Sequence, residues 1–200
     1  MRNIFKISIA LLIVSFVAAC GDSKKEAEAR AKAELAAKQA AEDSANASHF
    51  ATLLAKPVTA DDRRQAATAA GEASYANFKG DFASAEKALA RSVAFDPFNA
   101  DNWFDLGIAR IRIKDKSGAR AAFNNVLALC KDRAAKDPAN AAWLVKQIRP
   151  MVILGRVDEA RALQKRVLEQ FPNDPQVGVF RDPNAINRLL EDALLKEFNS

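Results

Sequence analysis

The chain has 200 residues, half of them apolar, with 30 basic against 25 acidic side chains and a formal charge of +5. That length buries one modest core. So weak a basic excess, without interleaved aromatic and basic clusters, does not imply a nucleic-acid partner, and none is expected. Alanine, leucine, lysine, arginine and glutamate dominate, and glycine and proline number seven each, which is a helical composition.

Residues 1–19 place Arg2 and Lys6 before an apolar run, Ile7 to Ala19, broken only by Ser8 and Ser15. The run is too short to span a bilayer as a stable helix and has the pattern of a secretory leader. Its end, Val17-Ala18-Ala19-Cys20, resembles the bacterial lipobox. The resemblance implies cleavage before Cys20 and acylation of its thiol, which anchors the mature chain at about 0.8 kcal/mol per buried methylene. This covalent lipid is the only attached group expected, and no cofactor is. Gly21 stands where an aspartate would retain such a protein at the inner membrane, so the outer membrane, facing the periplasm, is expected; Asp22 follows one place later. A plain leader cut near Ala19, leaving Cys20 free, is the other reading. Loss of 1–19 leaves 28 basic against 25 acidic residues, about +3.

Residues 20–47 form a tether whose one large apolar side chain is Leu35. Helix propensity is near maximal there, with Glu, Lys and Arg at helical spacings, but nothing is available to bury. A solvated helical spacer is expected, about 30 Å long if fully helical. A homo-oligomeric coiled coil is the alternative, although alanine fills most heptad positions. Residues 48–65 connect and cap: Phe50, Leu53 and Leu54 share a helical face, Pro57 stops the helix, and Thr59 with Asp62 forms a capping box for the next one.

From 66 to 172 the chain repeats itself. Asp96-Pro97 is followed by Asn99 and Trp103, and Asp137-Pro138 by Asn140 and Trp143. Gly80 to Pro97 echoes Gly155 to Pro172, with alanine five residues after each glycine, Ala85 and Ala160. Pro97 and Pro138 are 41 residues apart, and Pro138 and Pro172 are 34 apart. A period of 34, once lengthened by seven, marks stacked helix–turn–helix units. Trp103, Leu106, Gly107, Ala119 and Phe123 resemble the tetratricopeptide repeat pattern in register. The resemblance implies an all-α fold of about three helical hairpins. Gly107 and Ala119 would let paired helices approach, and Trp103, Leu106, Phe123, Trp143, Gly155 and Ala160 would complete the packing. Asn99 or Asp101, and Asn140, are candidate caps. The fit is uneven. Ala69, Glu72 and Ala73 replace tryptophan, leucine and glycine in the first unit, "CKDRAAK" lengthens the second, and Pro150 interrupts the third and should kink it. Residues 173–200 supply a capping helix, with Asp182 as its cap, Pro183 at its first position, and an apolar stripe of Ile186, Leu189, Leu190, Ala193, Leu194 and Phe198.

Little here points to catalysis, and the chain is read as not an enzyme. His49 is the only histidine and has no metal-ligand spacing around it, so no metal is expected. No phosphate-binding glycine loop or nucleophile elbow is present. Asp61-Asp62 and Asp158-Glu159 suit helix starts. Cys130 reads as a small buried residue, or as one half of an intermolecular disulfide.

The family resemblance implies a face built from the first helix of each repeat, gripping a peptide or helix. Position by position it comprises Ser74, Asn77 and Phe78, then Phe104, Ile108, Ile111 and Arg112, then Val145, Arg149 and Val152. Ala70 and Ser74 occupy the places of the family's carboxylate clamp, so the clamp is not implied. The expectation is a membrane-anchored periplasmic scaffold holding another envelope protein. A structural spacer on the cell wall, with no tight protein ligand, is the alternative. It gains weight if the strip is filled by the terminal helix or by "FATLL".

Overall fold

The computed structural model describes residues 23–192 with 195, 196 and 198. The leader 1–19, Cys20 and, in the terminal stripe, Ala193 and Leu194 lie outside the described residues. The described chain is all helical: α1 (Ser23–Leu54), α2 (Ala60–Phe78), α3 (Phe82–Phe95), α4 (Ala100–Arg112), α5 (Lys116–Lys136), α6 (Ala141–Ile153), α7 (Val157–Gln170), a 3₁₀ helix (Pro175–Arg181) and α8 (Ala185–Glu191). Residues to 40 belong to one compact unit and those from 41 onward to another. In the first, the helix formed by 23–40 is solvated as its composition demands, and Leu35 is exposed.

In the second unit α2/α3, α4/α5 and α6/α7 are three antiparallel hairpins, a short tetratricopeptide-like solenoid closed by the 3₁₀ helix and α8. Each hairpin turns through one residue with positive φ: Gly80 at 76°, Lys114 at 65° and Gly155 at 76°. Glycine is the cheap solution there, and lysine carries the cost of a crowded Cβ. Asp81 and Asp115 then accept hydrogen bonds from the amides of Ser84 and Gly118, opening α3 and α5. Between hairpins the Asp-Pro-x-Asn phrase is the turn and the cap. Asn99 Oδ1 accepts from the amides of Asp101 and Asn102, and Asn140 Oδ1 from that of Ala142. Thr59 and Asp62 form the expected reciprocal capping box at α2. The second helix of the middle hairpin has 21 residues where α3 and α7 have 14, so "CKDRAAK" is two added helical turns.

Two apolar clusters fill the solenoid. One gathers Leu89, Val93, Trp103, Leu106, Val126 and Leu129 around Phe50 of α1, whose ring meets Trp103 edge-on at 5.4 Å. The other joins Ile111, Phe123, Ile148, Val152 and Val167 to Val177 and Ile186 of the closing segment. Buried polar groups are paired across elements. Ser92 Oγ donates to the Ala66 carbonyl and accepts from Asn102 Nδ2, tying α2, α3 and α4 together. Gln164 Nε2 donates to the Phe180 carbonyl, holding the 3₁₀ helix on α7. Arg110 binds Glu86 at 3.0 Å and the Gly118 carbonyl at 3.1 Å, a partly buried clamp between α3, α4 and α5.

One expectation is narrowed and two need correction. Pro150 is buried in α6, and the helix runs on to Ile153. Pro150 therefore does not break the helix, although its missing N–H leaves the Lys146 carbonyl without its helical donor. The terminal helix does not start at Asp182-Pro183. Asp182 is extended and accepts from the Asn184 amide, so α8 starts at Ala185 and ends at Glu191, with Asp192 extended behind it. Gly155 is exposed, with nothing near its missing Cβ, so it serves the turn and not the packing.

A Cβ on Gly107 would lie 2.6 Å from Phe123 Cε1. Gly107→Ala is therefore expected to cost about 1–3 kcal/mol in urea unfolding. The cost should be smaller in a Phe123→Leu background, because the ring that causes the clash is gone. An equal cost in both backgrounds contradicts this contact.

Candidate functional site

The first-helix face is uneven along its length. On α2, Asn77 is exposed and Phe78 is 89% exposed. Tyr75 beside it is also exposed, with Lys79 Nζ 4.3 Å from its ring. At the start of α3, four residues after Phe78, the ring of Phe82 lies 5.6 Å from the Arg112 guanidinium of α4. Phe104 and Ile108 of α4 are half-buried against the core. Ile111 is 2% exposed and belongs to that core, with residues of both α5 and α6, so it cannot line a binding face.

On α6 the same face is covered from within. Arg149 lies over the Phe104 ring at 5.1 Å and 3.7 Å from Asp192. Arg149, Val152, Ile153, Leu189, Asp192 and Leu195 leave a space of only about 10 Å³ between them. Val145 is half-buried against the core. The closing segment thus occupies the third hairpin's share. "FATLL" does not fill the strip: His49 and Leu53 line a recess with Ala90, Val93 and Ala94 of α3 and Ala121 and Asn125 of α5. Trp103, Leu106 and Arg110 of α4 complete that recess, and none of the residues expected to line the strip belongs to it.

Of the packing residues, Trp103, Leu106, Gly107, Ala119, Phe123 and Ala160 are buried, and the indole of Trp103 donates to the Pro97 carbonyl at 2.9 Å. Trp143 is half-buried, with Arg133 6.0 Å and Lys146 5.7 Å from its ring centroid. Lys146 in turn pairs with Asp101 at 2.6 Å. Asp105, a turn further along α4, has its pKa raised, first by partial desolvation and then by the charge of Asp101, and the smaller opposing effect of Arg149 does not cancel them. Burial pushes the Cys130 thiol up to about 11 and leaves it no exposure, so the disulfide reading has no surface to act through. Among the described residues no group of three or more His, Cys, Asp or Glu gathers at metal-binding range, and no described helix is long and apolar enough to cross a membrane.

The fold is therefore that of a helical-repeat, tetratricopeptide-like protein with a partly open first-helix face. No family model and no curated protein matches the chain. A solved structure described as the first TPR of Spaghetti (RPAP3) bound to the HSP90 peptide SRMEEVD is similar to it at 18% identity. The match covers 65% of this chain and 96% of that one, with a TM-score of 0.43.

Two measurements test these environments. In a Cys20→Ser chain, Cys130 is expected to react with maleimide at least about a hundredfold more slowly than a free thiol, and at the ordinary rate in urea. A fast native reaction contradicts its burial. Because the folded pKa of Asp105 is raised, its charged form is disfavoured by folding. That penalty is present above the folded pKa and disappears as pH falls through it. Asp105→Asn is expected to raise Tm near pH 7 and leave it unchanged below about pH 3. The opposite order of melts contradicts the assignment.

Proposed function

We propose that this chain is a membrane-anchored scaffold of the bacterial periplasm. Cys20 carries the lipid, Gly21 directs the chain to the outer membrane, and the α2–α4 share of the first-helix face holds a segment of another envelope protein. The observation that carries the reading is Phe78, a phenylalanine left 89% exposed on the face that resembling proteins use for binding. Isolated apolar residues on a surface are ordinary. Here Tyr75 and Phe82 stand close by in sequence on the same hairpin, and Arg112 lies over Phe82, which together make an apolar strip with a cationic edge. That chemistry suits a hydrophobic segment with an acidic neighbour.

One observation favours the alternative, a cell-wall spacer without a tight protein ligand. The chain's own Asp192 and Leu195 close the α6 share of the face, where Arg149 was expected to meet a partner. One experiment separates the two. Tagged wild-type chain and a Phe78→Ala, Arg112→Glu variant are purified from envelope extracts after confirming equal Tm. The scaffold reading expects a partner retained by the wild type and weakened about thirtyfold in the variant, from roughly 2 kcal/mol of lost phenylalanine burial. Equal retention of a partner overturns the Phe78–Arg112 face as the binding site, and no partner for either chain supports the spacer.

A further inference from the structure

We infer that the opposite edge of the solenoid carries a second binding site, for an acidic peptide segment. A cleft of about 550 Å³ opens there between the turn after α1, the first turn of α2, the α3–α4 turn, the end of α5 and the start of α6. Four cations reach it from four separate places: Lys56 from the first turn, Arg63 from α2, Arg133 from α5 and Lys146 from α6. Against them stand two carboxylates, and both are engaged. Asp101 holds Lys146, and Asp96 Oδ1 accepts from the Phe98 amide. Among the described residues Lys56 and Arg63 have no carboxylate within 4 Å. The cleft therefore keeps an uncompensated positive field.

Its wall is apolar as well. Phe98 is 38% exposed, and half-buried Trp143 stands between Arg133 and Lys146. The two extra turns of α5 are what bring Arg133 beside Trp143, so the seven-residue insertion in the middle repeat has a use that hairpin packing does not explain. A free phosphate is the poorer fit. The amides at the start of α4 are already capped by Asn99, so charge is offered by spaced, flexible side chains. Spaced carboxylates with an apolar side chain between them match that offer. Phe78 lies at the far end of α2, fifteen residues from Arg63 and about 22 Å along the helix, so this site stands or falls independently of the proposed envelope-protein face.

The test is a ¹⁵N HSQC titration of the full chain in neutral detergent, read at its two indole N–H signals. The probe is acetyl-Asp-Glu-Leu-Asp-Glu-amide, and the control is its uncharged Asn/Gln counterpart. The expected result is a saturable shift at Trp143 but not at Trp103, absent with the control. Lys56→Glu with Arg63→Glu should weaken it roughly tenfold, since both residues are exposed and each contributes one surface ion pair. Lys56→Gln with Arg63→Gln should weaken it in the same direction, and Phe78→Ala should not affect it. No saturable shift, an equal shift with the uncharged peptide, movement of both indoles, or insensitivity to the charge variants overturns the site. Saturation by inorganic phosphate or by phosphatidylglycerol vesicles, without saturation by the peptide, overturns the ligand class.

Discussion

The contact between Gly107 and Phe123 fixes how closely α4 and α5 approach, and much of the middle of the molecule follows from that spacing. The ring edge occupies the space a Cβ would need. Phe123 is fully buried, so it cannot move aside without opening the core. On one side it meets Phe104 at 5.5 Å and 61°, and Phe104 carries Arg149 on its exposed face. Arg149 meets Asp192 of the closing segment. A missing side chain at 107 is thus linked, through three ring and charge contacts, to the way the C-terminal segment lies on α6.

Much of this was legible in the sequence, because a repeat states each rule more than once. Trp103, Leu106, Gly107, Ala119 and Phe123 fall at spacings that serve a helical hairpin, and Asp-Pro-x-Asn punctuates its ends twice. Residues outside the repeat were harder. Phe50 shares a plain apolar stripe with Leu53 and Leu54, and no spacing told which side of the solenoid that stripe would meet. The 3₁₀ helix was missed because "PQVGVFR" lacks a 3.6-residue period. Val177 and Phe180, three apart and both buried, were the available signal. Ile111 was assigned to the binding face by position alone, and its burial shows how little rotation separates a lining residue from a core one. Gly155 looked like Gly107 in composition, yet one answers a close approach and the other a positive φ.

The candidate surfaces divide by the same logic. The solenoid ends on α6 and α7, and an end must be covered; Ile186, Val177 and Leu195 cover it. The cover extends across Arg149 and Val152, consuming part of the face the repeats would otherwise present. At the other end, among the described residues, no such segment lies over Phe78. The partial opening follows from capping one end of three repeats with the chain itself.

Whether that division holds in the cell is best tested with a photo-crosslinking phenylalanine analogue placed separately at Phe78 and at Val152. The division expects Phe78 to capture another envelope protein and Val152 to capture only peptides of the chain's own residues 189–198. A foreign protein crosslinked at Val152, or none at Phe78, would contradict it.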